Sequence, residues 1–175
     1  MLALDGEVRD GITLRSLVLP VVWPRAAKVL ERALEGSTPA AVLSFGIHGK
    51  RDGAFRVETL AANALDFRIP DNDGNAHRGK PVSKGASPAL DISLPAAALL
   101  AALRERGLSA RFSRNAGRFL CNAVYFHVLS LGFPAAFIHV PPVEPGESSK
   151  AVVAAVDACA RVAARLEAHS KKTVR

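Results

Sequence analysis

Cysteine is scarce in this chain. Cys121 and Cys159 are the only two in 175 residues, which excludes a disulfide framework. Aromatic residues make up 6%, with one Trp and one Tyr, too few for a base-stacking platform. No apolar run approaches the roughly 18 residues of a membrane span, so no membrane partner is expected. Residues 1–5 lack the basic start and long apolar stretch of a secretory leader. A reducing cytoplasm is therefore the expected compartment, and it keeps a thiol usable. No cluster of His, Cys, Asp and Glu has zinc spacing, and no metal is expected.

What is present describes an ordinary globular chain, 49% apolar and 22% charged. Its 175 residues suit one domain, 1–175, long enough to bury a core. The net charge of +7 raises a nucleic-acid reading. The basic residues are dispersed, however, in small groups such as Lys50-Arg51, Arg114 with Arg118, and Lys171-Lys172. None interleaves with aromatics, so a solvated basic surface is expected and nucleic acid is not. A basic binding module stays as a minor alternative.

Periodicity gives the elements. Residues 14–22, 40–45, 108–114 and 135–140 read as strands, and residues 55–63 as extended. Residues 25–35 read as a helix opened by Pro24 and closed by Gly36. Further helices are expected over residues 95–106, 121–131 and 150–168. Residues 71–87, rich in Gly, Asn, Pro and Ser, form a long loop, and residues 141–149 another. Alternating strands and helices imply an α/β fold: a three-layer α/β/α sandwich around a mostly parallel twisted sheet. In such sheets reactive groups gather at the carboxyl ends of strands, so Cys121 and His139 are expected on one rim.

Cys121 is the candidate nucleophile. It follows a small-residue turn containing Gly117 and opens a helix, where the dipole and free N–H groups favour thiolate. Cys159, with Val152, Val156, Val162 and Leu166 on its helix face, reads as core. His139 ends a strand and is the candidate base, and Glu58 offers a carboxylate. His77 and His169 read as exposed and His127 as packing, while the role of His48 stays open. Asp71 and Asn72 read as turn formers.

The motifs themselves resemble a known family. Val57-Glu58-Thr59-Leu60-Ala61-Ala62-Asn63 is similar to V-E-x-x-A-x-N of the pyroglutamyl peptidase I, or pyrrolidone carboxyl peptidase, family. Arg68-Ile69-Pro70-Asp71-Asn72-Asp73-Gly74 resembles its R-x-P-D-N-x-G loop. The stretch Ser113-Arg114-Asn115-Ala116-Gly117-Arg118-Phe119-Leu120-Cys121-Asn122 resembles S-x-x-A-G-x-[YF]-x-C-N. Phe137-Ile138-His139-Val140-Pro141 resembles F-[IVL]-H-[IV]-P. The motifs stand in the family's order and span most of the chain. The family's opening T-G-F-x-P-F-G loop has no counterpart, so roughly 25–30 residues, about one βα unit, are expected to be absent at the amino end.

The resemblance implies a cysteine omega-peptidase that hydrolyses the amide after an N-terminal pyroglutamyl residue through an acyl-thioester, without a cofactor. Its implied substrates are N-terminally pyroglutamylated peptides. Cys121 would be nucleophile, His139 general base, and Glu58 the group orienting the imidazole. Arg68 would support the oxyanion, and Ile69, Phe119 and Leu120 would line the lactam pocket. Assembly as a homo-tetramer is implied as well. The alternative is a weak or inactive relative with an incomplete lactam pocket.

Overall fold

The computed structural model describes residues 5–142 and 148–173. In chain order its elements are β1 (Val8–Arg9), β2 (Ile12–Thr13), α1 (Arg25–Leu34), β3 (Val42–Ile47), β4 (Phe55–Glu58), β5 (Leu60–Ala62), β6 (Ala89–Asp91), α2 (Ala96–Glu105), β7 (Ala110–Ser113), α3 (Leu120–Ser130), β8 (Ala135–Val140) and α4 (Ser148–Thr173).

The central sheet has the order β3-β8-β4-β7. β3 is parallel to β8 and β4 to β7, and the antiparallel pair β8–β4 joins the two halves. The period of two along each strand then sorts the side chains. Leu43, Phe45, Phe55, Val57, Ala136, Ile138 and Val140 face one way, against Leu99 and Leu103 of α2 and Ala155, Cys159 and Val162 of α4. Val42 and Ala135 face the other way, against Ala26 and Leu30 of α1 and Ala123, Val124 and Val128 of α3. Helices thus cover both faces of the sheet, the expected three layers.

The helix boundaries follow their punctuation. α1 starts after Pro24, buries Ala26, Ala27 and Leu30, and ends just before Gly36 at φ +66°. α2 starts after Pro95 and ends before Gly107 at φ +73°. Cys159 is buried in the core beside Val162, as its helix face suggested.

Several sequence expectations are corrected. Residues 14–22 form no strand. Pro20 removes a donor, no neighbouring strand among the described residues offers a ladder, and Val18 stays 76% exposed. The segment is held instead by the Asn72 N–H, which donates to the Val21 carbonyl at 2.9 Å. The extended run over residues 55–63 breaks at Thr59 into β4 and β5, and β5 pairs with β6 in a separate two-stranded sheet. His77 is half-buried, edge-on to Phe67 with ring centroids 4.8 Å apart, because the long loop folds back onto that ring. Leu166 lies at the exposed edge of α4. The loop expected over residues 141–149 and the side chain of His169 fall largely outside the described residues.

Candidate active site

Strand register builds the first half of the site. β4 and β8 pair Arg56 with His139 and Glu58 with Phe137. Residues two apart share a sheet face, so Glu58, Phe137 and His139 all point toward α3. The diagonal brings His139 Nδ1 to 2.8 Å from Glu58 Oε1. Glu58 is fully buried, and its Oε2 has no hydrogen-bond partner among the described residues. A buried carboxylate with a single partner depends on the charge of that partner. The Phe137 ring lies beside the imidazole, centroids 4.8 Å apart, and His48 meets it edge-on at 6.1 Å.

The loop before α3 supplies the other half. Gly117 takes φ +79°, a left-handed conformation that favours glycine, and its N–H donates to Asn115 Oδ1 at 3.0 Å. Phe119 is extended and makes no side-chain cap, so the first N–H groups of α3 are not capped by it. Cys121 follows as the second helical residue, partly exposed. Asn122 ties this turn to β5: its amide oxygen accepts the Ala62 N–H at 2.8 Å. Its amide nitrogen donates to the carbonyls of Ala62 at 2.8 Å and Ala64 at 3.0 Å. One turn later, the Tyr125 hydroxyl donates to the Glu58 carbonyl at 3.0 Å. α3 is therefore stitched to the strand break that follows Glu58.

These ties place the Cys121 thiol in hydrogen-bonding reach of His139. Burial alone would lower the imidazole pKa. Cys121 and Glu58 outweigh it and raise His139 from its ordinary 6.5 to about 9. An imidazole held in this way is cationic at neutral pH. Burial without any partner pushes the Cys159 thiol up to about 12, leaving it inert.

The expectation of one shared strand rim is corrected. β8 runs antiparallel to β4, and β4 is parallel to β7, so β7 and β8 end at opposite edges. Cys121 meets His139 over the sheet face, because α3 packs back across β8.

The remaining candidates lie outside this trio. Arg68 is exposed and makes no hydrogen bond or ion pair with a described residue. Ile69 is 65% exposed. Phe119 packs edge-on against Phe67 with centroids 4.6 Å apart, and Leu120 is buried between α1 and α3. Asp71 is buried and accepts N–H bonds from Trp23, Asp73 and Asn75. Those bonds overcome burial and hold its carboxyl below the usual range. His48 bridges its own loop, with Nε2 at 2.9 Å from the Ala54 carbonyl and Nδ1 accepting the Lys50 N–H at 3.1 Å. Both ring nitrogens are thereby occupied. A groove of about 380 Å³ between α2 and α4 opens on the far face of the sheet from Cys121.

Likeness to known proteins identifies the family. The model of the family described as pyroglutamyl peptidase matches residues 1–165. The chain belongs to the pyroglutamyl peptidase family. Pyrrolidone-carboxylate peptidase of Pyrococcus furiosus is 40% identical over 79% of this chain and 69% of its own length. The Klebsiella pneumoniae protein of the same name is 35% identical over 96% of this chain and 85% of its own. The solved pyroglutamyl peptidase I of Bacillus amyloliquefaciens superposes with a TM-score of 0.85 at 26% identity, covering 92% of this chain and 83% of that one. Members of this pyroglutamyl peptidase family are hydrolases of the cysteine peptidase kind, acting on N-terminal pyroglutamyl peptides.

Sequence reading missed Tyr125 and the clamp made by the Asn122 amide. The signal for Tyr125 was helical spacing, since it stands four residues after Cys121 and shares its face.

Proposed function

We propose that Cys121, His139 and Glu58 are the catalytic triad of a pyroglutamyl-peptide hydrolase. The supporting observation is a single imidazole held at 2.8 Å by a fully buried carboxylate, with a helix-start thiol at its other side. The Cys121 thiolate attacks the carbonyl carbon of the N-terminal 5-oxoproline, and a C–S bond forms. The oxyanion is met by N–H groups of the first turn of α3, with Arg68 as the supporting cation that the motif resemblance implies. Collapse breaks the C–N bond, and the His139 imidazolium gives its proton to the departing amine. Neutral His139 then takes a proton from water, whose oxygen attacks the thioester. The thiolate leaves, 5-oxoproline is released, and the proton on His139 restores the ion pair. Glu58 holds Nδ1–H throughout, fixing which nitrogen faces the sulfur.

Ile69, Phe119 and Leu120 contribute to the lactam pocket, Leu120 through its backbone because its side chain is in the core. The chain works without metal or cofactor, as a single domain in the cytoplasm, with a tetramer as its assembly. Nucleic acid is not a partner in this reading. Arg9, Arg25, Arg56, Arg106, Arg111 and Arg161 are engaged by carboxylates, so these six do not stand together as a free cationic patch. Among the described residues no helix is long and apolar enough to cross a membrane.

The test is release of a fluorescent amine from a pyroglutamyl conjugate, beside Cys121→Ala and a proline conjugate. Turnover confined to the pyroglutamyl substrate and lost in Cys121→Ala is expected. The 65% exposure of Ile69 favours a second reading, a weak hydrolase with an open lactam pocket. That reading predicts a thiol that reacts with iodoacetamide while the conjugate stays uncleaved.

A further inference from the structure

Gly46 sits inside β3, where glycine weakens a strand and offers no side chain to pack. Its backbone does not require glycine, because it is absent from the residues with positive φ. Its surroundings do. A Cβ built there would stand 2.9 Å from Cys121 Sγ and 2.9 Å from Phe137 Cζ, closer than side-chain carbons normally approach either atom. Every other described glycine has nothing within 4 Å of the same position. Register explains the coincidence: Gly46 pairs with His139, so the missing Cβ points to the face that carries the imidazole.

We infer that Gly46 is a positioning residue for the nucleophile, the empty place on β3 into which the Cys121 sulfur settles beside His139. This inference rests on the proposed role of Cys121. A methyl group at position 46 has two ways to be accommodated. Phe137 is buried, packed against Tyr125 with centroids 5.8 Å apart, and can yield little. The short Cys121 side chain can turn about its single torsion, which takes the sulfur off His139. The cheaper movement is therefore the one that separates thiol and base.

The experiment is a double-mutant cycle on the full chain, Gly46→Ala with and without Cys121→Ala, read by thermal melting and by iodoacetamide labelling of Cys121 at pH 7. The expected result is a melting temperature lowered by about 5 °C in Gly46→Ala and largely restored in the double variant. Labelling and kcat should both fall by about tenfold to a hundredfold in folded Gly46→Ala, with KM nearly unchanged. A purely structural glycine would lower the melting temperature equally in both backgrounds and leave the labelling rate alone, and either outcome overturns the inference. Failure of Gly46→Ala to fold is also decided by the cycle: rescue by Cys121→Ala supports the sulfur contact, and no rescue assigns the clash to Phe137. The cycle needs no turnover, so a wild-type chain without peptidase activity tells against the proposed reaction alone.

Discussion

His139 carries a charge that its burial opposes, and two neighbours supply the difference. With its pKa raised to about 9, the imidazolium should persist across neutral pH. Activity should fall as pH rises through about 9, where the general acid loses its proton. Glu58→Gln removes one of the raising groups. We expect kcat to drop roughly tenfold to a hundredfold and the alkaline limb to move down toward 6.5, read from a pH–rate profile. Stability follows the same sign. The folded pKa lies above the ordinary 6.5, so the contribution is complete below 6.5 and is lost as pH rises through about 9. Urea melts at pH 6 and pH 10 should show this loss in the wild type and much less of it in His139→Ala. The two thiols separate by exposure: Cys121, partly exposed at the start of α3, should label at neutral pH, and buried Cys159, pushed to about 12, should stay unlabelled until the fold opens.

α3 does more than present a thiol. Asn122 and Tyr125 fasten it to the backbone on either side of the β4–β5 break, so helix and carboxylate move together. Tyr125→Phe deletes the donor to the Glu58 carbonyl and leaves a buried acceptor unpaired, a loss of about 1–3 kcal/mol. Its kcat should fall while KM holds, because substrate need not touch Tyr125, and steady-state kinetics on the folded variant would expose the split. Asn122→Ala abandons three bonds at once and should destabilise more. Much at this scale was legible. β8 spans the expected residues because its apolar run is bounded by Pro134 and Pro141, and α1 and α2 are fixed by Pro at one end and Gly at the other. Other parts were hidden. β1 and β2 are two residues each, joined by Asp10 and Gly11 in left-handed conformations, too short for any periodicity to register. Residues 14–22 look apolar enough for a strand, but a strand needs a neighbour, and pairing is not written in one segment. For the site, the trio itself could be read from motifs. Its meeting place could not, because sheet order decides which rim a strand ends on.

Across the molecule, the sheet separates two tasks. One face, with α2 and α4, is almost wholly apolar, whereas the other mixes core with Glu58, Arg56 and His139. Leu99, fully buried on the apolar face, should cost about 2–5 kcal/mol as Leu99→Ala while leaving kcat/KM near wild type at a temperature where the variant stays folded. Thermal melting and low-temperature kinetics on one preparation would check both halves of that statement. The loop bearing Arg68 and Ile69 belongs to neither face. It hangs from Asp71, whose carboxylate gathers the N–H groups of Trp23, Asp73 and Asn75 and thereby pins it to the lead into α1. Such a loop behaves like an interchangeable fitting on a fixed bracket. With Asp71 kept, the exposed Ile69 is free to be redrawn, and in the proposed reaction selection on the shape of the acyl group works there without disturbing the trio beneath.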